Sequence, residues 1–578
     1  MIYFQYNLSE LQHICCYHLL ENHEEYHMIT SEKSTDRLNS VSIQQEGGND
    51  QPSLHLYNSM TQKVEPVAPT ITPRSVSIYL CGATVQGSPH IGHMRSSLVF
   101  DVMRRWLERS GIQVRLIRNV TDIDDKILVK SSEAGLPWWQ WAQRHEREFT
   151  GAYESLGIAS PTYEPRATGH IPEMIDLVQK LIDKGHAYVS KSGSVYFDVS
   201  SFPEYGQLTH QEGAISADNM NQVDQTDSCS SNTLKEKQDQ RDFALWKAAK
   251  PGEPEDASWD SPWGHGRPGW HLECSAMSHR YLGSTFDIHG GGIDLRFPHH
   301  ENELAQSRAA GWGSARHWVH NAWVTIKGEK MSKSLGNSMF VSDLVDKYGA
   351  APLRLDLVSV HYRSVIEFSE EMMSQYVSTW NRLSAAVVNA YKIDTQKTTK
   401  NDSDGGPANP IDAPLNQIRT IDLPIEFTSA MDNDLNIPAA MTEVFKSVKY
   451  IEKLVASLNT EIIASDGTEN SNDSISSKDP ISTLVDSVLT LRAMLDVLGL
   501  DPLSEPWKQD TLHLLSAESV NSKDREILSC LIEQMIEERQ QARKSKRWDL
   551  ADRIRDNLTE SGVVIEDTPS GTRWKFVE

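Results

Sequence analysis

Residues 75–124 read as strand, glycine-bearing turn, helix and strand, and that order leaves few folds open. "SVSIYLCG" puts Val76, Ile78 and Leu80 on alternate positions, as a half-buried strand does. "SLVFDVMRRWLERSG" spaces Leu98, Val102, Met103 and Trp106 as an amphipathic helix does, and "IQVRLIRNVTDID" is again strand-like. The product is a βαβ unit, whose parallel strands call for an α/β fold with helices over the sheet. In such a fold ligands bind beyond the carboxyl ends of the strands. An anion is favoured at the helix N-terminus, where N–H groups are unpaired and the helix dipole is positive.

The turn inside that unit, "CGATVQGSPHIGHMR" from Cys81 to Arg95, carries the first candidate chemistry. Gly92 lets a backbone approach a nucleotide, and His90 and His93 are placed to donate hydrogen bonds to a phosphate whose charge grows in a transition state. Two histidines at a surface turn are the plainer reading of the same residues. Downstream, "KGEKMSKSLGNS" from Lys327 to Ser338 concentrates Lys330 and Lys333 with Ser332 and Ser334. Lysines at that density suit the phosphates of a departing pyrophosphate; a solvated charged loop is the alternative.

Composition narrows the class. With 578 residues, a prior of one domain per ~100–200 residues suggests three or four domains. The net charge of −24 argues against a general polyanion binder, so any nucleic-acid contact needs a local basic face. No apolar run reaches the ~18 residues of a membrane span, and the first residues lack the charged and apolar regions of a secretory signal. Six scattered cysteines form no disulfide framework, so a reducing cytoplasm is the expected location. Residues 1–53 are polar and read as a disordered extension, and a polar insertion spans 211–241.

Cys81, Cys274 in "GWHLEC", and His299 and Glu303 in "FPHHENE" make a possible metal set of two thiols, an imidazole and a carboxylate. Pro298 suits the first turn of a helix, from which His299 and Glu303, four apart, project on one face. No C-x-x-C pair supports this, and two inert buried cysteines are the competing reading.

"HIGH" and "KMSKS", in order and unmodified, resemble the two signatures of the class I aminoacyl-tRNA synthetases. Adding "NVTDIDDKI", "EPRATGHIPEMI", "GRPGWHLECSAM" and "FDIHGGGIDLRFPHHENELAQS" narrows the resemblance to the cysteinyl-tRNA synthetase family, from about residue 54 to the C-terminus. The resemblance implies a Rossmann-type catalytic domain with a parallel sheet over 54–350 and a stem-contact region and linker over 351–423. A helical anticodon-binding bundle over 424–505 and a small C-terminal anticodon-recognition tail over 506–578 follow. It implies ATP-dependent activation of L-cysteine and transfer to tRNA-Cys, by a monomer using one Zn2+ and Mg2+ with ATP.

By the same resemblance Cys81, Cys274, His299 and Glu303 bind zinc, which takes the substrate thiolate directly. His90, Gly92, His93, Gly292, Asp294, Lys330 and Lys333 bind ATP, with His90, His93, Lys330 and Lys333 catalytic. Gly82, Thr84, Trp270 and His289 surround the cysteine, and Arg543, Trp548, Asp552 and Asp567 contact the anticodon. A catalytic zinc ordinarily keeps three protein ligands and an open position. Four ligands and a substrate thiolate make five, and His271 and His300 are the next donors in line.

The zinc has a physical purpose. Cysteine and serine differ by one atom, and an apolar pocket separates near-isosteres by only ~1–3 kcal/mol. A soft thiolate bound to zinc has no match in a serine hydroxyl.

The C-terminal half repeats apolar residues at helical spacing in "TEVFKSVKYIEKLVASL" and "ISTLVDSVLTLRAMLDVLGL", as a bundle does. "RQQARKSKRWDLADRIRDNL" gathers Arg539, Arg543, Lys544, Lys546, Arg547, Arg553 and Arg555 around Trp548. An exposed Trp548 can stack on an unpaired base while the cations hold phosphates; a solvated helix with one buried tryptophan is the other reading. Two alternatives to a tRNA ligase share the core: a cysteine ligase of mycothiol synthesis, which lacks the long tail, and a catalytically inactive tRNA-binding paralogue.

Overall fold

The strand–turn–helix–strand order is present in the computed structural model as β1 (Ser75–Leu80), α1 (Ile91–Arg109) and β2 (Gln113–Arg118). Farther along come α2 (Trp270–Leu282), β3 (Phe286–Gly292), α3 (Glu301–Ala309) and β4 (Ala315–Asn321). The strands join as β4-β3-β1-β2 with every pair parallel. The chain leaves β1 toward β2 and returns on its other side as β3. A crevice therefore opens where the strand order reverses, beyond the carboxyl ends of β1 and β3.

β1 departs from the half-buried strand that its alternation suggests, because all of Val76 to Leu80 is buried. A central parallel strand is covered on both faces. Val76, Ile78 and Leu80 share a core with α1, while Tyr79 and Cys81 share one with Cys274 and Met277 of α2. The polar Ser77 is satisfied there by giving its N–H and hydroxyl to Asp287 Oδ2 at 2.7 and 2.6 Å. Gly290 of β3 sets the α1 spacing, since a Cβ there would fall 1.9 Å from the Phe100 ring.

β2 stops at Arg118, so "NVTDID" is not strand throughout. Isolated bridges from Thr121 to Thr84 and from Val120 to Arg166 bring this segment to the rim of the crevice. Asp124 then caps the helix Asp125–Glu133 through the Lys126 N–H. A separate antiparallel sheet of four short strands, between Ala187 and Pro268, is inserted ahead of α2.

Helices follow the sheet. Glu370–Thr398 packs against both Ile437–Ser465 and Pro480–Leu498. Val444, Val448, Ile451 and Leu458 are buried at helical spacing, which is why the segment forms a bundle. Near the C-terminus, Trp548–Glu560 and the hairpin of Val563–Thr568 with Gly571–Phe576 close a small core around Ile532, Ile554 and Val563.

The described residues are 54–67, 69, 74–211, 236–330, 339–398, 409–465, 479–511, 532–560, 563–568 and 571–576. The expected extension over 1–53, most of the polar insertion over 211–241, and Lys333 lie outside them. Among the described residues no helix is long and apolar enough to cross a membrane.

Candidate active site and metal centre

Helix α2, packed over β1, brings Cys274 to Cys81, and their sulfurs stand 3.6 Å apart as free thiols. Sulfurs sharing a tetrahedral zinc at ~2.3 Å each stand roughly 3.8 Å apart, so the pair has the spacing of two ligands on one ion. His299 and Glu303 meet across one helical turn, Nε2 to Oε1 at 3.0 Å. Glu303 Oε1 also lies 3.4 Å from the Cys81 sulfur. The donor atoms of Cys81, Cys274, His299 and Glu303 all lie within 4.8 Å of one another, and all four residues are buried.

A second set at the same separation shares two of these residues: Cys81, His289, His300 and Glu303. His300 Nε2 is 3.3 Å from the Cys81 sulfur, and its Nδ1 is 2.9 Å from His320 Nε2. His271 lies outside both sets; its Nδ1 meets His299 Nδ1 at 3.0 Å and so orients that ring. The first set carries two soft sulfur donors, the second only one, and softness favours the first for zinc.

Burial sets the protonation of the cluster. It pushes the Cys81 thiol up and the Cys274 thiol to about 11, and it raises Glu303 well above the usual carboxylate range. It pulls His289 and His320 down to about 3 and His299 and His300 well below their usual value. The imidazoles are thus neutral, as metal ligands must be. The thiols and carboxyl ionise only when a cation compensates them, which a divalent metal does. Two thiols, an imidazole and a carboxylate converging within 4.8 Å, with sulfurs 3.6 Å apart, are a donor set that fits a metal.

Above the cluster lies a cleft of about 250 Å³ lined by Cys81, Gly82, Thr84, Gly92, His93, Trp270, Gly292 and Asp294, among others. Gly82 is required at its edge, because a Cβ would fall 1.6 Å from the Asn119 carbonyl oxygen. Trp270 stacks on His299, ring centroids 4.2 Å apart, which places it between the cleft and the donor cluster. His289 does not line the cleft; it is buried behind it and reaches Glu303 Oε2 at 2.9 Å.

His90 precedes α1 and His93 lies in its first turn, with rings stacked at 3.6 Å. The His90 N–H donates to His93 Nδ1 at 3.2 Å. The two signature segments are tied through backbone. The Ile91 N–H donates to the Met339 carbonyl and the Val341 N–H to the Pro89 carbonyl, bridging His90 to Phe340. Met339 directly follows "KMSKSLGNS", whose other flank is the short strand Glu329–Lys330.

In the C-terminal region Arg543 is exposed on the helical stretch 532–544, and Trp548 is 57% exposed, so it is not a buried core residue. Asp552 pairs with Arg555 at 3.3 Å, and Asp567 lies on the strand Val563–Thr568. Arg539 differs from the rest of the basic run in being buried.

Sequence reasoning did not single out Asp124, Lys126, Ser96, Ser97 or Tyr153, which also line the cleft. Asp124 and Lys126 sit in "NVTDIDDKI", and its place directly after the second strand of the unit was the available signal. His320 was missed because nothing in "ARHWVHN" distinguishes a site histidine from a core one.

Comparison with known proteins identifies the family. The family described as "tRNA synthetases class I (C) catalytic domain" matches residues 67–378. The "DALR domain" matches 426–500 and the "Cysteinyl-tRNA ligase anticodon binding domain" matches 528–574. A "Cysteine--tRNA ligase" of Beutenbergia cavernae is 49% identical over 90% of this chain and 99% of its own length. Proteins of the same name from Bifidobacterium longum and Streptomyces avermitilis are 45% and 46% identical over 90% of this chain and 94% and 99% of their own lengths. A Mycobacterium tuberculosis methionyl-tRNA synthetase structure, in complex with methionyl-adenylate, shares the fold at 17% identity. Its TM-score is 0.50, covering 74% of this chain and 90% of that one. With three family matches in the expected order and near-full-length relatives at this identity, the chain belongs to the cysteine–tRNA ligase family of class I aminoacyl-tRNA synthetases.

Proposed function

We propose that this protein joins L-cysteine to the 3′-terminal ribose of tRNA-Cys in two steps. A cysteine carboxylate oxygen attacks the α-phosphorus of ATP and pyrophosphate leaves. A ribose hydroxyl then attacks the acyl carbon and AMP leaves. The observation that carries the reading is the convergence of Cys81, Cys274, His299 and Glu303 within 4.8 Å, at a cleft that also holds Gly92 and His93. Zinc held by those four residues would supply a soft acceptor for a thiolate, which a serine hydroxyl does not match.

The remaining roles belong to the chain's own groups. Gly82, Thr84 and Trp270 enclose the amino acid, and His289 supports the site from behind through Glu303. Gly292 and Asp294, beyond β3, take the adenosine. His90 and His93 hold the α-phosphate at the start of α1, where the helix dipole favours an anion. Lys330 and Lys333, with Mg2+, neutralise the β and γ phosphates. Holding carboxylate and phosphorus in near-attack geometry supplies much of the rate.

Arg543, Trp548, Asp552 and Asp567 contact the anticodon, Trp548 by stacking. The domain division follows the roles: catalysis over 54–350, stem contact over 351–423, and anticodon recognition over 424–505 and 506–578. The match of the tail to an anticodon-binding family supports tRNA over a sugar acceptor. The reading carries with it a single-chain enzyme of the cytoplasm.

The test is transfer of labelled cysteine, with ATP, to unfractionated tRNA and in parallel to glucosaminyl-inositol. Charging of tRNA with cysteine and not serine is the expected result. Transfer to the sugar alone, or to neither acceptor, overturns the reading.

A further inference from the structure

Three of the four proposed ligands have an outer partner that fixes them. His299 has His271 at 3.0 Å, Glu303 has His289 at 2.9 Å, and Cys81 has His300 at 3.3 Å. The partner of Cys274 lies on β1. Tyr79 precedes Cys81 by two residues and so projects from the same face of the sheet. Its side chain is fully buried, its ring lies 5.3 Å from that of His289, and it shares a cluster with Cys81, Cys274 and Met277.

The Tyr79 hydroxyl makes no hydrogen bond of good geometry among the described residues. Cys274 lies in the same buried cluster, and it is the ligand to which none of the outer partners named above belongs. A hydroxyl withdrawn from water without a good acceptor is costly, and a neutral thiol is a weak one. Phenylalanine would fill the same space without that cost, so packing alone does not account for the oxygen. Cys274 becomes a strong acceptor once it gives up its proton to bind a divalent metal. A hydrogen bond to the resulting thiolate is charge-assisted, roughly twice as strong as a neutral one.

We propose that Tyr79 is a positioning residue of the metal site, donating its phenolic hydrogen to the Cys274 thiolate and completing the ring of outer partners. The inference rests on the metal reading above. It adds a residue to the site that aligns one ligand and tunes the electron density of its sulfur.

The test is titration with Co2+ of wild-type protein, Tyr79→Phe and Met277→Leu, following the sulfur-to-cobalt charge-transfer band and the affinity by competition with a chromophoric chelator. Loss of an outer partner typically weakens metal binding by about 10–100-fold. Tyr79→Phe is expected to weaken cobalt binding by that factor and shift the band, while its metal-free thermal midpoint is unchanged or higher. A purely structural tyrosine would instead lower that midpoint. Met277→Leu, which alters packing in the same cluster without touching a donor, is expected to change neither affinity nor band. Equal affinity and an identical band in Tyr79→Phe overturn the inference, as does an equal loss in Met277→Leu. Wild-type protein that takes up no cobalt overturns the metal reading and the inference with it.

Discussion

The Asp101 carboxylate and the Arg354 guanidinium meet at 2.5 Å with both side chains out of water. Asp101 lies on α1, the helix that begins at the histidine signature, and also takes hydrogen bonds from Arg105 and the Ala159 N–H. Arg354, on the helix Ala350–Ser359, donates to the carbonyls of Leu498, Leu156 and Gly157. Gly499 makes room for it, since a Cβ there would fall 2.1 Å from Arg354 Nη2. One buried cation thus ties α1 to the end of a bundle helix. The neighbouring arginines hold the Asp101 carboxyl down at about 2 in spite of its burial.

Removing Arg354 leaves the buried Asp101 carboxylate to the Arg105 cation alone and takes the donor from the carbonyls of Leu498, Leu156 and Gly157. Arg354→Met is expected to cost about 3–5 kcal/mol of stability in urea denaturation. The double variant Asp101→Asn, Arg354→Met recovers part of the loss. A double variant no more stable than Arg354→Met alone would show that the carbonyl contacts, not the ion pair, carry the effect.

Gly82→Ala is expected to cost about 1–3 kcal/mol, because its Cβ meets a backbone oxygen that cannot step aside. It should also depress cysteine-dependent ATP–pyrophosphate exchange by displacing Cys81. Gly151→Ala is the control: it lies in the helix Trp138–Ser155 with nothing within 4 Å of the added carbon. Helix propensity predicts a gain of up to about 1 kcal/mol there, with exchange unchanged.

Asp356 gives a pH signature. Burial raises its carboxyl to about 7 although nearby Arg95 pulls the other way. The unfolded chain ionises this group near its ordinary value of 3.8 and the folded chain only near 7. Its contribution is therefore fully favourable below pH 4, falls by up to ~1.4 kcal/mol per pH unit between about 4 and 7, and is flat above. Asp356→Asn should match wild type at pH 4 and exceed its stability at pH 8. Parallel stability curves for the two proteins would contradict this.

Cys81→Ser removes a soft donor while keeping shape, so folding should survive and cysteine activation should not. A fall of at least about 10–100-fold in exchange rate, the loss that removal of an outer partner of a metal site already causes, is expected, with the far-ultraviolet circular dichroism unchanged. Near-normal exchange in the folded variant would remove the metal from the account.

Much of this was legible in the chain because the decisive residues sit at the ends of regular elements. The alternation of Val76, Ile78 and Leu80 and the spacing around Trp106 located β1 and α1, and the reversal of strand order then placed Cys81 beside Gly92 and His93. What the alternation missed was the second covered face of β1, since Ser77 and Tyr79 look solvent-facing in one dimension. They are buried because Asp287 and α2 lie opposite. Cys274 and His299 lie far from Cys81 in the chain, and only the packing of α2 and α3 against the sheet joins them. No local pattern encodes that distance, and the family resemblance supplied it.

The most direct test of the account is the rate of cysteine-dependent ATP–pyrophosphate exchange, beside the serine-dependent rate, in one preparation before and after metal is stripped by a chelator and restored with zinc. The account predicts exchange with cysteine and not serine in the loaded protein, its loss on stripping, and its return with zinc while the fold is retained. Cysteine exchange that persists at full rate in protein verified to be free of metal would contradict it.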